Sequence, residues 1–284
     1  MESQMNFKII HETRYVFSDP VFLEPHYLRF RPKSSPFIDL TSFSIALVSE
    51  PEGHKVIEDE EHNAIDFCWF ESLTSSFTIH AQSYLQTSAY NPFDFIIHPD
   101  SFSTLPFRYS EHQYQVLYAA LQKTELAKEL LDYANEILAN AQFNTINFIT
   151  DLTKKMHQDF SVEYREVGPP LSPDDTFKLK TGSCRDLSWM QINLLRHYGI
   201  AARFVSGYFY FEVDKPEYEL HAWTEVFIPG IGWLGIDPSH GILTGNTHFP
   251  LASSALPENT MPVSGDIRGS ATSQLITQLS IEKQ

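Results

Sequence analysis

The chain has 284 residues, 42% of them hydrophobic and 20% charged, a balance that supports a packed core and excludes disorder of the whole chain. The length allows one large domain or two smaller ones. Acidic residues outnumber basic ones 36 to 20, and the formal net charge of −16 with no local basic patch argues against a nucleic-acid partner.

The opening, MESQMNFKIIHETRYVF, has no basic segment followed by an apolar run, and no later stretch approaches the ~20 apolar residues of a membrane span. The expectation is a soluble cytoplasmic protein with no membrane partner. Residues 1–108 are rich in aromatic and β-branched side chains. Segments 7–17, 21–31, 37–48, 65–70 and 76–87 read as strands of a small sandwich or barrel, and FTIHAQSYLQT alternates as a half-buried antiparallel strand does. The acidic stretch Glu58 to Glu61 reads as a solvated loop, and the proline-punctuated NPFDFIIHP and LPFRY read as a connector.

From residue 109 the pattern turns helical. Leu126, Leu130, Tyr133 and Ile137 recur at helical spacing, and residues 144–158 place Ile146, Ile149, Leu152 and Met156 on one face. A loop, VGPPLSPDD, follows, in which Asp174 and Asp175 read as solvated. A helix over 184–198 comes next, and then strands over 202–213, 221–228 and 233–237. The last two are joined by the turn Pro229-Gly230-Ile231-Gly232. The tail from Gly241 reads as loop with one late strand over 274–281, where Leu275, Thr277, Leu279 and Ile281 share a face. Nothing in the sequence sets an oligomeric state.

There are 2 Cys, too few for a disulfide frame. Cys68 sits in the strand pattern IDFCWF and reads as a buried structural cysteine. Cys184 differs. Ser183 and Asp186 form an S-x-x-D capping pattern, which puts Cys184 in the first turn of a helix that Gly199 terminates. Unpaired amide N–H groups and the positive end of the helix dipole favour a thiolate there. A thiolate catalyst needs a base, and the base needs an orienting group. His221 opens the strand HAWTEVFI. If Phe227 pairs with Trp233 across the hairpin, Asp237 falls opposite Trp223, and His221 is its diagonal neighbour at roughly 7 Å between Cα atoms. That is within reach of a His–carboxylate hydrogen bond. Trp223 reads equally as core or as a wall of the site, where it could touch substrate. Arg185 could touch substrate, and Asp186 caps the helix. Glu225 with His221 and His240 or His248 could imitate a metal centre, but the spacing matches no ligand pattern, so no metal and no cofactor is expected.

The blocks GSCRD, GIAARFVSGY, HAWTEV and GWLGIDPSHG, in that order, resemble the transglutaminase-like superfamily, in its bacterial branch of predicted cysteine proteases. TRYVF, LRFRP, EDEEHNAIDF and the run from NPFDF to LPFRY are similar to the β-rich domain preceding the core in that branch. VSGDIRGSATSQLITQLSI is similar to its last strand. The resemblance implies an α+β chain: an N-terminal β-sandwich-like domain over 1–108, then a papain-like, transglutaminase-like core with its C-terminal strand over 109–284. It implies Cys184 as nucleophile, His221 as general base and then acid, and Asp237 as orienter. This chain departs from the family pattern in having Arg185 where Gln is common, and Ser239-His240-Gly241 where Thr-Asn-Gly is common. The expected activity is cysteine peptidase or amidase chemistry on a peptide or protein substrate through a thioester. Its alternatives are cross-linking to an amine and a non-catalytic binding module that keeps the fold.

Overall fold

A computed structural model describes residues 4–165, 168–213 and 216–284. The chain opens with a long strand, β1 (Met5–Leu23), followed by β2 (His26–Leu28), β3 (Ile38–Val48), β4 (Gly53–Glu58), β5 (Ala64–Trp69) and β6 (Leu73–Thr87). The helices α1 (Glu111–Val116), α2 (Lys128–Asn140) and α3 (Thr145–Asp159) come next. Strand β7 (Ser161–Val162), helix α4 (Pro173–Leu179), strand β8 (Thr181–Gly182) and helix α5 (Cys184–His197) lead into β9 (Ala202–Phe209), β10 (His221–Ile228) and β11 (Gly232–Asp237). The chain closes with β12 (Ile242–Leu243), β13 (His248–Ser254), β14 (Val263–Ser264), β15 (Ile267–Arg268) and β16 (Ser273–Lys283). The fold is α+β, with a sheet-rich N-terminal region, as the sequence implied.

Two antiparallel sheets make the N-terminal sandwich. One runs β15-β1-β6-β3, with β16 also on β1, and the other runs β14-β2-β5-β4. Phe17, Val21, Leu23, Phe77 and Ile79 of the first sheet meet Leu28, Phe30, Cys68 and Phe70 of the second layer in one buried cluster. β6 alternates as its sequence predicts, with Ile79, Ala81, Ser83 and Leu85 buried. Segments 7–17 and 21–31 were expected as separate strands. The first instead continues to Leu23, with a ladder irregularity between Val16 and Val21. Pro20 lies in that gap and has no N–H to give to a ladder.

The second half is built on the antiparallel sheet β12-β11-β10-β9-β13. Helix α5 lies against it. Leu187, Met190 and Leu194 share a core with Phe148, Ile149, Leu152 and Met156 of α3 and with Phe204, Ala222, Val226, Leu234 and Ile236 of the sheet. The helix ends as Gly199 predicted. At φ +81° its N–H reaches the Arg196 carbonyl, and the Ile200 N–H reaches that of Leu195. Phe7, Ile9, Ile38 and Leu85 of the sandwich bury against Tyr208, Phe249 and Leu251 of β9 and β13, joining the two halves.

Four expectations are corrected. Glu58 ends a strand, β4, that the sequence reading missed. Asp59 accepts from the Glu61 and Asn63 amides, which tightens the turn into β5, and buried Asn63 binds Ser253 of β13. Residues 173–179 form α4 rather than loop. Ser172 caps it by accepting from the Asp175 N–H, and Asp174 accepts from the Ala127 N–H at the start of α2. The tail contains β13, a strand of the core sheet that carries Pro250 at an irregularity of its ladder with β9. Finally, the closing strand pairs with β1 over Phe7 to Phe17, so residues 263–283 complete the N-terminal sheets although the sequence division puts them with the core. No helix among the described residues is long and apolar enough to cross a membrane.

Candidate active site

Ser183 precedes α5, and Cys184 is its first residue. The Asp186 carboxylate accepts from the Ser183 N–H and hydroxyl, both at 2.8 Å, from the Leu171 N–H at 2.7 Å and from Arg165 Nη2 at 2.5 Å. Burial opposes its charge, but these hydrogen bonds from Leu171, Ser183 and Arg165 outweigh it and hold Asp186 below the usual carboxylate range. One buried anion thus ties Arg165 and Leu171 to the helix start. Arg185 donates to the carbonyls of Gly168 and Arg165, so its guanidinium braces both.

α5 is set against β10 by two polar contacts. The Ser188 hydroxyl donates to the Ala222 carbonyl, and the Thr224 hydroxyl donates to the Ser188 carbonyl. The first contact lies one helical turn beyond Cys184 and one residue beyond His221, and it sets those two side chains near enough to interact. The hairpin has the expected register, Phe227 opposite Trp233. Asp237 therefore reaches His221, with Oδ2 at 2.7 Å from Nε2. That leaves Nδ1 of His221 for the sulfur. Burial disfavours the imidazolium, but the Asp237 carboxylate, helped by Cys184, outweighs it and raises His221 from 6.5 to about 10. Asp237 is wholly buried. Burial works against its charge, but His221 and the hydrogen bonds from three imidazoles hold it well below the carboxylate range.

The structure also brings in residues whose role the sequence did not reveal. His240 Nδ1 lies 2.9 Å and His248 Nε2 3.3 Å from the same Asp237 oxygen, while Oδ1 accepts from the Ser239 and His240 amides. The Phe209 ring stacks on His248 at 4.1 Å and meets His240 edge-on at 4.7 Å. The turn after Asp237 is closed by the Gly241 N–H on the Asp237 carbonyl and is tied to α3 by His157 Nδ1 on the Ser239 carbonyl. Gly241, at φ +69°, has no room for a Cβ beside His157. The sequence signal was the density of histidine after Asp237, but nothing local shows that these rings converge.

Trp223 is 1% exposed and packs edge-on against His248, with Gly207 leaving space for its ring. It is a wall beneath the imidazoles and offers no open face to a substrate, a correction to its reading as a binding residue. Glu225 is paired with Arg203 and stands apart from the cluster. His221, Asp237 and His240 offer ligand atoms within 4.8 Å of one another. Each imidazole nitrogen near Oδ2 faces a carboxylate that can only accept, so the arrangement is one of donors around an acceptor. Cys68 is buried, and burial, with the Asp66 carboxylate adding to it, pushes its thiol up to about 12. It stays protonated and inert.

Residues 131–238 match the transglutaminase-like superfamily core, and residues 7–86 match the bacterial transglutaminase-like N-terminal region. A candidate cysteine protease from Cytophaga hutchinsonii has the same fold, with a TM-score of 0.72 at 17% identity over 100% of this chain and 93% of that one. YebA of Bacillus subtilis (strain 168) is 34% identical over 98 residues, 29% of this chain and 13% of that protein. Mb2599c of Mycobacterium bovis is 28% identical over 118 residues, 37% of this chain and 36% of that protein. The matched segments are thus well under two thirds of either relative's length. With both regions matched in order, the chain belongs to the transglutaminase-like superfamily, as a member that carries the bacterial N-terminal region ahead of its core.

Proposed function

We propose that the protein is a cysteine-dependent peptidase or amidase acting on peptide or protein substrates, with Cys184 as nucleophile, His221 as acid and base, and Asp237 as orienter. The observation that carries this reading is the chain of contacts from the α5 start through His221 to Asp237 at 2.7 Å. The Cys184 sulfur attacks the amide carbonyl carbon, and the developing oxyanion lies near the backbone N–H of Cys184 at the positive helix end. The C–N bond breaks as the His221 imidazolium gives its proton to the leaving nitrogen, and a thioester remains. His221, now neutral, takes a proton from water. The hydroxide adds to the thioester carbon, the C–S bond breaks, and the acid and the Cys184 thiolate–imidazolium pair are released. Asp237 holds Nε2 throughout, and Arg185 shapes the rim of the site through the Arg165 and Gly168 carbonyls it holds.

Water needs no binding site of its own, so hydrolysis is the simpler completion of the cycle. A primary amine in its place would make the protein a cross-linking enzyme. No cofactor takes part in either route. The test is turnover of peptide amides by wild type and by Cys184→Ala, with and without an added primary amine. Thiol-dependent release that Cys184→Ala lacks supports the reading, and amide formation with the added amine assigns the transferase branch. Equal turnover by both proteins overturns it.

A further inference from the structure

Asp237 is oversubscribed. A carboxylate offers about four lone-pair sites, two on each oxygen. Oδ2 receives three imidazole nitrogens, from His221 at 2.7 Å, His240 at 2.9 Å and His248 at 3.3 Å. Oδ1 receives the Ser239 and His240 amides at 2.9 and 3.3 Å. Two of these five donors come from His240, one from its ring and one from its backbone.

The two extra imidazoles are not equivalent. His248 is buried, and burial pushes its imidazole down from the ordinary value. The Gly245 N–H approaches its Nδ1, which fits a neutral ring with the proton on Nε2. It sits on β13, whose next residue, Phe249, is packed against Phe7 of the sandwich. His248 is therefore a fixed, distant donor. His240 is closer to Oδ2, its side chain is 42% exposed, and its ring lies 5.2 Å from that of His221. Its position is set by the 237–241 turn and by the Phe209 ring.

We propose that His240 is a positioning residue of this centre, whose ring N–H shares the Asp237 oxygen that holds His221 and so limits how tightly that carboxylate binds the His221 proton. A hydrogen bond donated to a carboxylate stabilises its charge and lowers its basicity. With fewer competing donors, Oδ2 would hold the His221 N–H more strongly. The imidazolium would then be a poorer acid toward the leaving amine nitrogen. The inference rests on the proposed catalytic role of His221, but its geometry is independent of turnover. Among the described residues, the titratable groups facing His221 are Cys184 on α5, Asp237 on β11, His240 on the following turn and His248 on β13. Phe209 and Trp223 complete its surroundings without titrating.

The test is the NMR titration of His221 in the Cys184→Ala protein, which isolates the imidazole from the thiol and from turnover. His240→Phe removes the donor and fills its space, so that water does not replace it. The expected result is an upward shift of the His221 midpoint by about 0.5 pH unit or more. His240→Asn, which keeps a neutral N–H donor, should return the midpoint most of the way. If His240→Phe fails to fold, His240→Leu carries the same expectation. A midpoint unchanged in the apolar variant overturns the proposal, as does one shifted equally by Asn. If the midpoint shifts as expected but wild type lacks thiol-dependent turnover, the proposed function fails while the role of His240 in holding Asp237 stands. Turnover without the shift gives the converse.

Discussion

Asp186→Ala perturbs the anchor of Cys184 without touching Cys184 itself. Asp186 is 1% exposed and accepts four hydrogen bonds, one from Arg165 and three from Ser183 and Leu171. Removing its carboxylate strands the Ser183 and Leu171 amides at about 1–3 kcal/mol for each one left unsatisfied, and breaking a buried ion pair costs about 3–5 kcal/mol. The Arg165 side chain is 31% exposed, so solvent takes up part of that loss. A net destabilisation of about 3–5 kcal/mol follows, which for a chain of this size lowers Tm by roughly 10 °C. The pH dependence has a defined sign. Asp186 is held below the usual carboxylate range, so its contribution is complete above the unfolded-state carboxylate pKa and is lost as pH falls through the folded one. Wild type and Asp186→Ala should therefore converge in acid. Thermal unfolding at neutral and acidic pH measures both effects, and iodoacetamide labelling of Cys184 reports whether the helix start has loosened. A neutral-pH difference below about 1 kcal/mol, with unchanged labelling, would mean that Asp186 does not anchor the helix start.

Cys184→Ala should abolish turnover while changing stability by less than about 1 kcal/mol, because Cys184 is partly exposed at a helix end; activity and urea unfolding check this. Asp237→Asn should lower kcat by about 10²–10⁴-fold, since an amide presents an N–H to one of the donors that now converge on the carboxylate; steady-state kinetics measure it. His11 of β1, buried against Phe30 and Tyr208, is pushed by burial from 6.5 to about 4, so the folded protein keeps it neutral. Stability should fall as pH drops from about 6.5 toward 4, by at most about 3 kcal/mol from this residue. His11→Gln should flatten that dependence in urea titrations at the two ends of the window, and an identical slope would contradict it.

The parts of the site legible in the sequence were those with local signatures. The Ser183–Asp186 cap located the helix that starts at Cys184, Gly199 its end, and the Pro-Gly-Ile-Gly turn fixed the hairpin register that brings Asp237 to His221. The Ser172-to-Asp175 cap carries a similar signal for α4, with Pro173 at its first position, but seven residues between loops make a weak periodic pattern. β13 was hidden by Pro250. The pairing of β16 with β1 joins residues more than 250 positions apart and leaves no local trace. His240 reaches Asp237 through the turn three residues on, but His248 lies on a strand separated from β11 by ten residues, and only the sheet order β11-β10-β9-β13 brings it to the same oxygen.

The proposed chemistry turns on a Cys184 sulfur made reactive by His221. The most direct measurement is the pH dependence of iodoacetamide alkylation at Cys184, followed by peptide mass spectrometry with Cys68 as internal control, in wild type and His221→Ala. Wild-type Cys184 should be alkylated faster than a free thiol, Cys68 should stay unlabelled, and the excess rate at Cys184 should be lost in His221→Ala. Alkylation of wild-type Cys184 no faster than a free thiol, or unaffected by removing His221, would contradict it.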